Sequence, residues 1–178
     1  LYAMVLANLM KHFGMSTATG GLMSSLTLLA SAAGGILFGI IADRIGRVKA
    51  LMATLLVYSI FTGACGFSAN IVQLAIFRIL LGLGMGGEWA TGAALVAETW
   101  PSEHRGKALG IMQSSWAIGY ALAAAITALV LPHFGWRGVF FAGVLPALLT
   151  LWIRRNVEEP EIWVKMRRDK QQEGKKAN

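Results

Sequence analysis

The chain has 178 residues, of which 56% are hydrophobic and 14% are charged, whereas about 25% of residues are charged in an ordinary soluble domain. This composition excludes an ordinary soluble domain and indicates a membrane protein. The net charge is +7, but the basic residues lie in separate segments rather than along one face, which argues against a nucleic-acid partner. Cys65 is the only cysteine, so no disulfide within the chain is possible. No residue spacing suggests a metal site or another cofactor.

Apolar stretches near the roughly 20 residues that cross a bilayer recur along the chain. Residues 1–13 are apolar but short, and we interpret them as the end of a first helix whose beginning is missing from the sequence. No basic segment of the kind that opens a signal peptide is present there. We predict five further helices, approximately over residues 17–42, 47–69, 71–98, 104–131 and 136–155. The sequence therefore predicts an all-α integral membrane protein with a six-helix bundle over residues 1–156.

A cluster of charges separates the second helix from the third. Residues 43–49 contain one acid and three bases, while residues 20–42 and 50–69 carry no charge. Basic residues collect on the cytoplasmic side of a membrane. If this loop is cytoplasmic and the helices alternate, most of the 16 basic residues fall inside, and Lys11 and Arg137 lie near outer ends. We therefore predict that both ends of the bundle are cytoplasmic.

The chain becomes polar after residue 156. Three glutamates surround Pro160, and Trp163 precedes a basic stretch that is rich in glutamine. We interpret residues 157–178 as the start of a cytoplasmic central loop. A solvated linker and a short helix lying on anionic lipid both fit this composition.

The charge cluster carries a recognisable motif, G-x-x-x-D-R-x-G-R. Its fixed positions are occupied by Gly39, Asp43, Arg44, Gly46 and Arg47. The motif resembles the signature loop between helices 2 and 3 of the major facilitator superfamily. Gly46 can adopt the positive φ that a tight turn requires. The resemblance implies a six-helix half of a major facilitator fold, built from two inverted three-helix repeats, with the second half of the transporter absent from this sequence.

The same resemblance implies a cytoplasmic gate and conformational switch around this loop. In the superfamily the acid and the base of the loop are joined by an acid at the inner end of helix 4, where Glu98 lies in this sequence. Arg105 follows at the start of helix 5. We expect Asp43, Arg47, Glu98 and Arg105 to form one network. From the residues alone, a solvated cluster that only anchors the topology remains the alternative.

Helix 4 contains two ionisable residues inside an apolar stretch, where a charge costs several kcal/mol. Its segment 78–89 reads R-x-x-x-G-x-G-x-G-G-E-W and resembles the metabolite:proton symporters of small carboxylic acids, including the sialate and aromatic-acid branches. Glu88 is then a candidate proton carrier, or else a residue that hydrogen-bonds a neighbouring helix. Arg78 either attracts a substrate carboxylate or tunes a nearby acid, or else it donates hydrogen bonds between packed helices. They lie ten residues apart, so they cannot pair directly.

Two further patterns occur in helices 4 and 5. Small residues recur every fourth position at Gly82, Gly86, Ala90 and Ala94, which favours close helix packing. On helix 5, Gln113, Trp116 and Tyr120 share a face at separations of three and four residues. We predict that this face lines the substrate cavity, with ordinary hydrogen bonding between helices as the alternative.

We predict a secondary transporter of the bacterial cytoplasmic membrane that takes up a small organic anion together with protons. Its expected partners are the substrate, protons, membrane lipids and the missing six-helix half. A sugar:proton symporter or a drug antiporter of the same superfamily is the alternative within transport. A membrane-embedded enzyme or a scaffold is a more distant one, because the carboxylates needed for acid and base catalysis are not gathered at one depth.

Overall fold

The computed structural model describes residues 1–176, which form seven helices and no strand. The helices are α1 (Tyr2–Phe13), α2 (Thr17–Ile45), α3 (Arg47–Gly66), α4 (Ile71–Thr99), α5 (Ser102–Ala142), α6 (Ala147–Asn156) and α7 (Glu161–Lys176). Four helical segments are long and apolar enough to cross a membrane, namely α2, α3, α4 and the stretch 102–156. The predicted all-helical membrane fold is therefore confirmed.

The helix ends are set by polar and glycine residues at the turns. The Ser16 hydroxyl accepts a hydrogen bond from the Thr19 N–H (3.1 Å) at the start of α2. The Asn70 side chain accepts one from the Gln73 N–H (2.9 Å) at the start of α4. These side chains satisfy backbone donors that a helix start leaves without partners. Gly14 closes α1 in the left-handed conformation, with φ 61°, which glycine adopts at little cost.

The last two predicted helices, over residues 104–131 and 136–155, differ from the helices of the structure. Helical structure runs from Ser102 to Ala142 with one non-helical residue inside, Gly135 (φ 64°, ψ −171°), which redirects the chain. A turn over residues 143–146 then separates this segment from α6. Pro146, which has no N–H to continue the helical ladder, lies at that turn. The returning span thus consists of two short helical pieces, residues 136–142 and 147–156.

Helix α4 packs tightly against α2 through glycines. A Cβ atom added to Gly86 would overlap the Ser31 carbonyl oxygen, and one added to Gly82 would lie 2.5 Å from the Thr27 carbonyl oxygen. From the α2 side of this contact, a Cβ added to Gly34 would overlap the Leu83 backbone of α4. The four-residue spacing of small residues in α4 therefore corresponds to a close backbone contact, as membrane helices commonly use.

A second glycine face of α4 packs against α3. A Cβ on Gly84 would lie 2.6 Å from the Tyr58 backbone nitrogen, and one on Gly87 would lie 2.5 Å from the Thr54 side chain. Both Thr54 and Gly84 are buried. Helix α4 is consequently held between α2 and α3, and it carries Arg78, Glu88 and Glu98 at three different depths of the bundle.

The segment after α6 is folded rather than a linker. Helix α7 begins at Glu161, and Pro160 and Trp163 are buried. The alternative of a solvated linker is therefore wrong for Pro160 and Trp163, which pack on the rest of the chain, while residues 165–169 of α7 are exposed. Residues 177 and 178 of the interpreted central loop lie outside the described residues.

Candidate functional site

A sharp turn joins α2 to α3. Helix α2 ends at Ile45 and α3 begins at Arg47, so the connection is the single residue Gly46, with φ 112° and ψ 154°. Residues other than glycine rarely adopt this φ. The turn therefore requires the glycine of the motif and brings the end of α2 next to the start of α3.

Arg47 joins three helices at this turn. Its Nη1 donates to Asp43 Oδ1 at the end of α2 (2.5 Å), and its Nη2 donates to Glu98 Oε1 at the end of α4 (2.8 Å). The Arg47 Nε also donates to both Glu98 oxygens, at 3.0 and 3.2 Å. The side chains of Arg47 and Glu98 are 11% and 20% exposed, while that of Asp43 is 66% exposed. We call Asp43, Arg47 and Glu98 the ion cluster, and the side of the bundle where it lies the Arg47 face.

The fork-shaped contact between Arg47 and Glu98 is the strong part of the ion cluster. Ionised groups that share several hydrogen bonds interact more strongly than neutral ones, and little water reaches this pair. The exposed contact with Asp43 is screened and contributes less. The geometry therefore fixes the beginning of α3 against the end of α4.

The other predicted members of the network lie apart from it. Arg105 is half-buried, and its Nε is buried without a hydrogen-bond partner within residues 1–176. Arg105 thus forms no ion pair with the ion cluster within the described residues, and its part in the network stays a prediction. Arg44 is exposed, and Gly39 faces open space with no atom within 4 Å of an added Cβ.

The segment after α6 supplies contacts that the sequence did not suggest. The Glu159 carboxylate accepts hydrogen bonds from the Val48 N–H (3.2 Å) and the Lys49 N–H (3.3 Å) in the first turn of α3. The Trp163 indole N–H donates to the Asp43 carbonyl oxygen (3.2 Å). Residues 110 or more positions apart are thus brought together around the same turn. The three glutamates near Trp163 were visible in the sequence, but their partners were not.

Replacing Glu159 with alanine tests this cap. We expect the amide hydrogens of Val48 and Lys49 to exchange about 2-fold to 30-fold faster, since a helix cap contributes about 0.5–2 kcal/mol. The measurement is hydrogen exchange with mass spectrometry on peptides covering the turn. The exposed neighbour Glu158, replaced with alanine, is the matched control and should leave exchange unchanged. Equal exchange in the two variants would contradict the role of Glu159.

Arg78 is buried in the bundle. Its side chain is 5% exposed, and its guanidinium carbon lies 3.5 Å from the centre of the Tyr2 ring. The Tyr2 hydroxyl in turn donates to the Gly20 carbonyl oxygen (3.2 Å). The Arg78 Nε has no hydrogen-bond partner within residues 1–176. The side chain therefore contacts an aromatic ring of α1 instead of reaching a membrane surface, and it retains an unused donor.

Glu88 lies one residue before Trp89 in the middle of α4 and is half-buried. Within residues 1–176 it takes part in hydrogen bonding through its backbone carbonyl, which accepts from Thr91 (3.3 Å), and not through its carboxylate. A cavity of about 520 Å³ opens between α2 and α4, with Ser31, Gly86 and Trp89 among its lining residues, and Glu88 is not one of them.

The predicted face of α5 is exposed. Trp116 and Tyr120 stack with ring centres 5.8 Å apart and an interplanar angle of 29°, and Gln113 is exposed one turn earlier. The structure thus brings the two aromatic rings together on one face, as their spacing suggests. Within residues 1–176 this face is not covered by another helix.

These features define the class of protein. Residues 1–176 match the family model of the Major Facilitator Superfamily, and the chain belongs to this superfamily. It is an integral membrane protein, and its family and relatives are transporters rather than enzymes.

Three curated relatives cover most of this chain. A putative metabolite transport protein of Haemophilus influenzae is 40% identical over 89% of this chain and 39% of the relative. The sialic acid transporter NanX of Escherichia coli is 36% identical over 85% of this chain and 37% of its own length. The cis,cis-muconate transport protein of Acinetobacter baylyi is 33% identical over 88% of this chain and 38% of its own length. The chain therefore spans well under half the length of these relatives.

A solved structure supports the fold. The proton:xylose symporter XylE bound to 6-bromo-6-deoxy-D-glucose matches with a TM-score of 0.82 at 22% identity, over 93% of this chain and 42% of that chain. At this identity the likeness concerns the fold alone. The match agrees with the predicted fold class over most of this chain.

Proposed function

We propose that this chain forms the N-terminal half of a secondary active transporter that takes up a small carboxylic acid together with protons. The observation that carries the proposal is Arg78, a buried arginine in a membrane helix with an unused hydrogen-bond donor. Membership of the superfamily and relatives named for sialic acid and cis,cis-muconate support it.

Arg78 is suited to an anionic substrate. A guanidinium buried against the Tyr2 ring is favoured by the ring's negative face, and its Nε has no hydrogen-bond partner within residues 1–176. A carboxylate that reaches this donor would accept a charge-assisted hydrogen bond from it. Helix α1 holds Tyr2 and helix α4 holds Arg78, so an anion at this point contacts two helices and can influence how they pack.

Glu88 is suited to carry the proton. An ionised carboxylate in the middle of a membrane helix is costly, whereas a protonated one is not, and the Glu88 carboxylate has no competing hydrogen bond within residues 1–176. One net charge moving through 100 mV supplies about 2.3 kcal/mol, which corresponds to about 50-fold accumulation. A carboxylate with one negative charge must therefore enter with two protons to draw on the membrane potential to this extent.

The domain organisation follows from the same proposal. Residues 1–156 form the N-terminal transmembrane bundle, and residues 157–178 begin the central loop. The Arg47 face is cytoplasmic, since it carries most of the basic residues of the chain, and the membrane is the bacterial cytoplasmic one. Gln113, Trp116 and Tyr120 line a cavity that the remaining helices of the transporter complete, which accounts for their exposure here.

The ion cluster acts as the gate in this proposal. Arg47 holds the cytoplasmic ends of α2, α3 and α4 in one arrangement through Asp43 and Glu98. Gly39, Arg44, Gly46 and Arg105 complete the set that we assign to the conformational switch. Breaking the contacts would shift the balance between conformations rather than abolish substrate binding.

Replacing Glu88 with glutamine tests the proton route. We expect uptake driven by a proton gradient to fall by at least 10-fold in vesicles containing the full-length protein, because glutamine cannot release a proton. The measurement is substrate-dependent proton uptake, challenged with a panel of carboxylates and neutral sugars. Exchange of substrate across the membrane without a gradient should persist.

The exposed Lys107, replaced with glutamine, provides the control variant for this measurement. Unchanged proton uptake in Glu88→Gln at every pH would contradict the role of Glu88. A response to neutral sugars alone would contradict the carboxylate and favour the sugar symporter.

A further inference from the structure

Helix α6 leaves a continuous apolar surface uncovered. Leu148, Leu149, Leu151 and Trp152 are 63%, 54%, 60% and 60% exposed. They belong to the stretch 102–156, which is long and apolar enough to cross a membrane. Contacts between membrane helices favour small residues, whereas this surface consists of leucines and a tryptophan. It therefore suits lipid better than a neighbouring helix.

Two bases follow this apolar surface directly. Arg154 and Arg155 lie in the last turn of α6 and are exposed. Leu148, Trp152 and Arg155 are separated by four and three residues, so they lie along one side of the helix. We call these three residues the Arg155 stripe. It passes from apolar to aromatic to basic within about 10 Å of helical rise, the order in which a phospholipid presents its chains, its ester groups and its phosphate.

The end of α6 does not use these bases as caps. Lys and Arg side chains near the end of a helix can donate to its last carbonyl groups. Here the Asn156 side-chain N–H donates to the Trp152 carbonyl oxygen instead (2.8 Å). Within residues 1–176, the ion pairs are those of Arg47, so neither Arg154 nor Arg155 has an acidic partner. Both guanidinium groups are therefore open to an anion from outside the protein.

The indole of Trp152 is open as well, in contrast to two other tryptophans. The Arg137 guanidinium carbon lies 4.3 Å from the centre of the Trp136 ring, and that of Arg167 lies 5.1 Å from the centre of the Trp163 ring. Both of these rings belong to buried residues, whereas Trp152 is exposed. Tryptophans at a membrane surface place an apolar ring among the chains and a polar N–H near the ester groups. Trp152 is free to take this position.

The carboxylates that follow α6 do not neutralise Arg155. The Glu159 carboxylate is occupied by the Val48 and Lys49 N–H groups of α3. Glu158 is exposed and forms no ion pair within the part of the chain that the structure describes. The positive charge of Arg155 thus remains at the level where the membrane helix ends, and bases at this level attract acidic lipids.

We propose that the Arg155 stripe binds an acidic phospholipid, with the phosphate at Arg155, the ester groups at Trp152 and an acyl chain along Leu148. Arg154 adds a second positive charge beside the headgroup. The orientation given under the proposed function places this lipid in the inner leaflet. Binding itself depends neither on that orientation nor on the molecule that is transported, so the two proposals can fail separately.

The test measures lipid binding to the full-length protein in detergent by native mass spectrometry. The protein is titrated separately with phosphatidylglycerol and phosphatidylcholine that carry the same acyl chains, so a difference reports the headgroup. We expect wild type to prefer phosphatidylglycerol. Arg155→Gln should lower the affinity for phosphatidylglycerol by about 5-fold, the effect of one base near an acidic lipid surface, and the affinity for phosphatidylcholine by less. The loss should shrink as the ammonium acetate concentration rises, because an exposed charge is screened.

Three further variants complete the test. Lys107→Gln is the matched control, because it removes an exposed base of the Arg47 face whose neighbours along α5 are Gly110 and Ile111 rather than an aromatic residue. It should leave the affinity for phosphatidylglycerol nearly unchanged. Arg155→Lys keeps the charge and should retain most of the preference. Trp152→Ala should weaken binding of both lipids, since they share the ester groups, and it keeps the test usable if Arg155→Gln does not fold.

Three outcomes would overturn the proposal. Equal affinity for phosphatidylglycerol in wild type, Arg155→Gln and Trp152→Ala would show that the lipid does not occupy the Arg155 stripe. Equal losses in Lys107→Gln and Arg155→Gln would indicate attraction by net charge alone. Binding of neither lipid by the wild type would show that another part of the full-length protein covers this surface of α6.

Discussion

Gly86→Ala is expected to destabilise the bundle by about 1–3 kcal/mol or more, the range typical of overpacking in a filled interior. A Cβ atom at this position would overlap the Ser31 carbonyl oxygen of α2, and backbone cannot turn aside as a flexible side chain does. Alanine is a better helix former than glycine by about 1 kcal/mol, but this gain is smaller than the cost of separating α2 from α4. The measurement is thermal unfolding of the full-length protein in detergent, followed by tryptophan fluorescence.

Gly92→Ala is the matched control, because it lies on the same helix with no atom within 4 Å of an added Cβ. That variant should be as stable as the wild type or slightly more stable. Gly34→Ala, which meets the Leu83 backbone from the other side of the seam, should behave like Gly86→Ala. Equal unfolding temperatures for Gly86→Ala and Gly92→Ala would refute the close contact between α2 and α4.

Arg47→Gln is expected to release the inner ends of α3 and α4 from each other. The change removes the hydrogen bonds to Glu98 and leaves that carboxylate partly buried without its base. Loss of one partner costs 3–5 kcal/mol for a fully buried pair, and partial exposure reduces this to about 1–3 kcal/mol. We expect hydrogen exchange in residues 43–49 and 95–105 to rise by about 5-fold to 150-fold, as measured by mass spectrometry.

Two further variants sharpen this prediction. Arg47→Lys keeps the charge but loses the fork of donors, so it should give an intermediate rate of exchange. Arg155→Gln removes an exposed base from the same face and should leave exchange in both segments unchanged. If Arg47→Gln exchanged no faster than Arg155→Gln, the ion cluster would have no part in holding these helices together.

The sequence predicted the architecture well because membrane helices obey simple length and charge rules. Long apolar runs bounded by charges located α2, α3 and α4 to within a few residues. The spacing of Gly82 and Gly86 indicated close packing of α4 against another helix, and the motif at Gly46 indicated a turn that requires positive φ. Each of these features depends on neighbours in the chain, so a local pattern is enough to reveal it.

Other features depend on residues far apart in the chain, which a local pattern does not contain. Arg78 was recognised as unusual, but its contact with the Tyr2 ring joins α4 to α1. Glu159 was seen only as one of three glutamates, and nothing in its surroundings predicts that it binds the amide of Val48. The turn at residues 143–146 was missed because apolar residues continue through it, so hydropathy does not register the break.

The cap on α3 has a consequence for how the protein is made. Val48 and Lys49 emerge from the ribosome more than 100 residues before Glu159 does, and domains generally fold as they are synthesised from the N-terminus. The turn between α2 and α3 therefore enters the membrane with its first-turn amides unsatisfied and receives Glu159 only after the last span of this bundle has been inserted. Completion of the turn therefore requires that the chain has been synthesised as far as Glu159.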